Sequence, residues 1–104
     1  MAEDGFWDDI RLKKEILKHI EKETFVLSKH AAEEQKNDKI DLQDTLHVLK
    51  TGRHEREKTG FDAKFQAWKY AIRGKTEYSE TVRVIVSFPS EMMIITVMKL
   101  KKNK

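Results

Sequence analysis

The chain has 104 residues, of which 38% are charged, with a formal net charge of +3 and no cysteine. That length suits one domain of modest core, and Leu, Ile, Val and Phe together make up a quarter of the residues, above the level of disordered chains. The absence of cysteine excludes disulfides and thiolate metal sites, and a net charge this small does not by itself announce a nucleic-acid protein.

The opening "MAEDGFWDDI" carries acids where a secretory signal carries bases, and no apolar run approaches the length that spans a membrane. The expectation is a soluble cytoplasmic protein without membrane association. Acids crowd residues 3 to 44, whereas Arg53, Arg56, Arg73 and Arg83 fall later and Lys99, Lys101, Lys102 and Lys104 form a basic tail. This asymmetry suits an anionic partner or a solvated surface.

Trp7 to Glu23 predicts an amphipathic helix, with Asp8 or Asp9 as cap and Ile10, Ile16, Leu17 and Ile20 as its core stripe. Thr24 to Leu27 has the composition of a short strand or a connector. Ser28 is placed to cap a second helix from Lys29, broken at Asn37 and Asp38. Asp41 then caps Leu42 to Lys50, with Leu42, Leu46 and Leu49 on one face and Gly52 as a left-handed stop.

From Arg53 the period shifts to two, the period of a strand. Arg53 to Thr59 is polar, with the character of an edge strand or loop. "FQAWKYAIRG" predicts a strand with Trp68, Tyr70 and Ile72 on the core face and Lys69, Ala71 and Arg73 on the other. "KTEYSE" is a hairpin loop, and "TVRVIVSF" returns with Val82, Val84, Val86 and Phe88 inward and Arg83 outward. "MMIITVMKL" is a further strand, too continuously apolar to assign its faces. The expected fold is α+β, a single domain over residues 1–104 with N-terminal helices on one face of a mainly antiparallel sheet of three or four strands. Within it, 1–24 is an additional helix, 25–100 the core and 101–104 a basic tail.

The order "LSKHA", then "IDLQDTLHVLKTG" at Ile40 to Gly52, then "WKYAIRG", "VRVIVSF" and "MIITVMKL" resembles the DUF4258 family. That family resembles in turn the RelE-like and BrnT-like toxins of bacterial type II toxin-antitoxin systems. The resemblance implies a RelE-like fold, an antitoxin protein as partner, and RNA cleavage without metal or other cofactor, on free or ribosome-bound RNA. Three positions depart from the family pattern. Gln35 and Asp38 stand where relatives commonly have Met and Arg, and Met98 where relatives have a tyrosine after "ITV".

Cleavage through a ribose 2′-hydroxyl asks for a proton acceptor, a proton donor and cations over the phosphate. Arg73 and Arg83 on the outward face suit the last role, with Lys69 as a supporting cation and Thr96 beside them if its register matches. His30 and His54 are the candidate proton carriers, against the plainer reading of His30 as a residue that packs its helix onto the sheet. His19 and His47 show no metal-ligand spacing, and no metal site is expected. The competing expectation is a non-catalytic RNA- or protein-binding module on the same fold, consistent with Met98, Gln35 and Asp38.

Overall fold

The structure, a computed structural model, describes residues 6–100, so Lys101, Lys102 and Lys104 of the expected tail lie outside the described residues. The helices are α1 (Asp9–Glu21), α2 (Lys29–Asp38) and α3 (Leu42–Thr51). The strands are β1 (Phe25–Leu27), β2 (Arg53–His54), β3 (Gly60–Asp62), β4 (Ala67–Lys75), β5 (Thr81–Ser87) and β6 (Met92–Lys99). They form an α+β fold with a mixed sheet ordered β1-β6-β5-β4-β2, in which β3 also pairs with β4 and only β1 runs parallel to its neighbour. The expected three or four strands become six. The short Phe25–Leu27 stretch takes a place in the sheet, the polar segment expected as an edge strand or loop supplies the two-residue strand Arg53–His54, and Gly60–Asp62 just beyond it adds another.

Each helix starts on a side chain that accepts an otherwise unpaired backbone N–H. Asp8 accepts from Arg11 at 2.9 Å, Ser28 from Ala31 at 3.0 Å, and Asp41 and Asp44 form a reciprocal capping box. Ser28 also donates its hydroxyl to Ile95 O at 3.0 Å, which ties the start of α2 to β6. In α1 the buried stripe is Leu12 and Ile16, with Ile20 partly packed, while Ile10 and Leu17 are exposed. This corrects the expected stripe. Ile10 stands about 200° around the helix from Leu12, and Leu17 about 100° beyond Ile16.

The inward half of the alternation expected of β4 and β5 is present: Tyr70, Ile72, Val82, Val84 and Val86 are buried under the helices, with Trp68 and Phe88 packed against them, but Ala71 and Ser87, expected outward, are buried as well. Each such side chain contributes about 1.5–3 kcal/mol through burial. Along β6 the inward residues are Met92, Ile94 and then Val97, because Val86 pairs with Ile94 whereas Ile85 pairs with Thr96. The extra residue, Ile95, reverses the parity. That bulge explains the continuous apolar run and turns Thr96 and Met98 to the open face.

β1 covers β6 only from Met92 to Ile94. Past the bulge, α2 takes over the edge: Glu34 accepts from Val97 N at 2.9 Å and Asp38 from Lys99 N at 3.2 Å. Side-chain carboxylates thus occupy donors that would otherwise invite another strand. Gln35 also serves the fold, accepting the Thr45 hydroxyl at 2.6 Å.

Gly52 does not end α3 in the left-handed region. Its φ of −78° and ψ of −177° are open to any residue, and the left-handed helix stop occurs instead at Lys39, with φ 58°. Gly52 is glycine for space. A Cβ there would stand 2.6 Å from both Arg73 O and Val48 O, and one at Gly74 would stand 2.9 Å from Gly52 Cα. The two glycines let the end of α3 lie directly on β4. Gly52→Ala and Gly74→Ala are each expected to lose about 1–3 kcal/mol through overpacking. Thermal or denaturant unfolding checks this, and unchanged stability in both would contradict the close approach.

Candidate nucleic-acid interface

The sheet has one face under the helices and one open. Register sets a row across the open face: Arg53 stands opposite Arg73, Arg73 opposite Arg83, and Arg83 opposite Met98. The next row includes Ala71, Ile85 and Thr96. Lys69 shares the outward parity of Arg73 and pairs with Asp62 at 2.7 Å. Of the residues expected to meet RNA, the structure therefore brings Lys69, Arg73, Arg83 and Thr96 onto one surface.

Like charges directly opposite on paired strands repel. Glu55 resolves the repulsion. Between β2 and β3 the chain leaves the ladder in a single 3-10 turn at Arg56–Lys58, and Glu55 at its start has a side chain only 1% exposed. Arg83 Nε donates to its Oε1 at 2.6 Å, while Arg83 Nη2 and Arg73 Nη1 donate to Oε2 at 3.2 and 3.3 Å. Arg83 thus grips the carboxylate with two nitrogens and is 14% exposed, whereas Arg73 gives one and is 41% exposed. Arg83, with Arg73 behind it, holds the Glu55 carboxyl below its ordinary value of 4.5 against the opposing effect of burial. Glu55 in turn raises the Arg83 guanidinium.

Thr59 secures the backbone beneath this cluster. Its hydroxyl accepts the Ala71 N–H at 2.9 Å and donates to Glu55 O at 3.0 Å, replacing the ladder bonds that the turn interrupts. The candidate proton carriers lie elsewhere. His54 faces the helices with Ile72, its strand partner, and its side chain is 3% exposed. Its Nδ1 is 2.7 Å from Asp9 Oδ1 and its Nε2 2.8 Å from Thr59 Oγ1. His30, 65% exposed on α2, lies 3.3 Å from Glu34 of the same helix. Neither histidine joins Arg73 and Arg83.

Glu55 is the site residue that the sequence reading missed, because an acid between Arg53 and Arg56 in a polar stretch looks solvated. Among the described residues no three His, Asp or Glu side chains gather to hold a metal ion, and no helix is long and apolar enough to cross a membrane.

The Domain of unknown function (DUF4258) family matches residues 27–99, so the chain belongs to that family. No curated protein and no solved structure matches it. The match excludes α1, whose Leu12 and Ile16 nevertheless complete the core.

Removing Arg83 would strand a buried carboxylate, a loss of about 3–5 kcal/mol, whereas truncating the more exposed Arg73 should cost about 1 kcal/mol or less. Because the folded carboxyl titrates below its unfolded value, its contribution is full above pH 4.5 and is lost as pH falls through the folded value. Denaturant titrations of wild type and Glu55→Gln from pH 7 to 3 should show a stability gap that narrows on acidification. A constant gap would contradict the ion-pair assignment.

Proposed function

We propose that this DUF4258 chain grips RNA phosphates on the open face of its sheet and acts as a metal-independent endoribonuclease of the RelE-like and BrnT-like toxin kind. In this reading it works in the cytoplasm and is silenced by an antitoxin protein. The observation that carries the proposal is the row of Arg53, Arg73 and Arg83 across β2, β4 and β5, set by register, with Arg73 and Arg83 held by Glu55. A guanidinium stays charged and can hold two phosphate oxygens at once.

In the reaction the ribose 2′-hydroxyl gives its proton to solvent water as its oxygen attacks the adjacent phosphorus, and the bond to the 5′-oxygen breaks as that oxygen takes a proton from water, leaving a cyclic phosphate and a 5′-hydroxyl. Negative charge builds on the phosphate oxygens, and arginines fixed beforehand stabilise it without rearranging. Arg73 is the primary clamp because its fork is the more exposed. Arg83, gripped by Glu55 on two nitrogens, supplies field and position. With both oxygens taken and no access to solvent, Glu55 is a positioning residue here, not the acceptor of the 2′-hydroxyl proton.

A second reading, RNA binding without scission, draws on a specific observation. Met98 stands opposite Arg83, at the position where the resemblance puts a tyrosine, and the thioether has no proton to give. His30 and His54 also lie off this face.

The test is cleavage of purified RNA in EDTA, free and with ribosomes, by wild type and by Arg73→Ala, whose fold should survive. Wild type is expected to cut, with the rate lowered about 100-fold in Arg73→Ala, the scale for losing one preorganised donor. Binding without cutting would favour the second reading. Folded protein that neither binds nor cuts would overturn both.

A further inference from the structure

Phe65 sits in the tight connection between β3 and β4, and it is 65% exposed while its neighbour Phe61 packs edge-on against Trp68. The connection is braced. Asp62 Oδ1 accepts the backbone N–H groups of Lys64 at 2.9 Å and Phe65 at 3.3 Å, and its Oδ2 pairs with Lys69 at 2.7 Å. Gln66 takes the left-handed φ of 53°, and its side-chain amide donates to Ala63 O at 2.7 Å. A ring held out of the core by this many local bonds is presented to solvent by the turn itself.

Two lysine ammonium groups lie over that ring, and a stacking base displaces them or shares the ring face with them. Lys64 Nζ lies 5.5 Å and Lys69 Nζ 5.7 Å from its centroid. Lys69 is on the outward parity of β4, and Arg73 follows four residues later, roughly 13 Å along the strand. A shallow cleft lined by Lys58, Phe61, Asp62, Ala63, Lys69 and Ile85 opens beside the turn. Arg53, Arg73, Arg83, Lys58, Lys64 and Lys69 outnumber Glu55, Glu57 and Asp62 along this path.

We propose that Phe65 is a stacking platform for an unpaired base, and that the open face takes single-stranded RNA running from the β3–β4 turn along β4 to the arginine row. The proposal rests on the reading of that face as RNA-binding and adds the strandedness of the ligand. An exposed aromatic ring beside a basic groove recognises any base through its π-face, and only unpaired bases have that face free. A duplex would offer the same phosphates to the arginines and nothing to Phe65.

The experiment is fluorescence anisotropy with an unstructured 2′-O-methyl RNA of mixed sequence, long enough to form a stable duplex, which cannot be cut through its 2′-oxygen, single-stranded and annealed to its complement. Wild type, Phe65→Ala, Phe65→Tyr and Arg73→Ala are compared, each checked for folding. Wild type is expected to prefer the single strand by about tenfold. Phe65→Ala should weaken single-strand binding about tenfold and leave duplex binding unchanged, the scale of one base-aromatic stack. Phe65→Tyr should restore it. Single-strand binding weakened by Arg73→Ala but untouched by Phe65→Ala would overturn the platform and leave the RNA reading standing. Equal wild-type affinity for the two forms would also overturn it. No binding of either by folded wild type would overturn the RNA reading and the platform together.

Discussion

Glu55 is almost wholly buried, with its carboxylate oxygens taken by Arg83 and Arg73, and this ion cluster joins an edge segment to the two central antiparallel strands. Without it, register would set three arginines against one another across β2, β4 and β5. With it, the open face keeps two cations at fixed positions while their mutual repulsion is offset. A buried ion pair adds little net stability over an apolar alternative, yet losing one partner is costly. The cluster therefore serves better to hold cations in place than to strengthen the fold. Met98 completes the row as a soft neighbour, its sulfur 4.0 Å from Arg83 Nη1.

The support for that cluster extends through the sheet. Thr59 bonds the backbone of Glu55 on one side and His54 on the other, and His54 reaches Asp9 in the first turn of α1. The His54 hydrogen bond, with Arg56 beside it, holds the Asp9 carboxyl below its usual range. The histidine that the sequence suggested as a proton carrier thus bridges the added N-terminal helix to the edge segment that carries Glu55. Residues outside the family match are in this way connected to the segment that carries Glu55.

Where strands alternate strictly, as in Trp68 to Arg73 and Val82 to Phe88, the sequence showed which face meets the core, because period two leaves one consistent assignment. The caps at Ser28 and Asp41 were legible for a similar reason: their chemistry is local. Features that depend on distant partners were not. Gly52 looks like a helix stop until Gly74 is seen against it, and the bulge at Ile95 is invisible within an unbroken apolar run. Glu55 carried one usable signal. The hairpin after Lys75 sets Arg73 opposite Arg83, and two outward arginines so placed are favoured by an acid between them. Which acid it is depended on a 3-10 turn that local propensity does not reveal.

An arginine row that meets phosphates releases counterions as RNA binds, and the salt dependence of affinity reads each such contact. Affinity for a single-stranded, uncleavable RNA should be followed against salt concentration for wild type, Arg53→Ala and Arg73→Ala. The log-log slope is expected to fall by about 0.7 for each arginine removed, the single-strand value per phosphate contact. Slopes that stay at the wild-type value in both variants, with their folds intact, would show that phosphates bind elsewhere and would contradict the account.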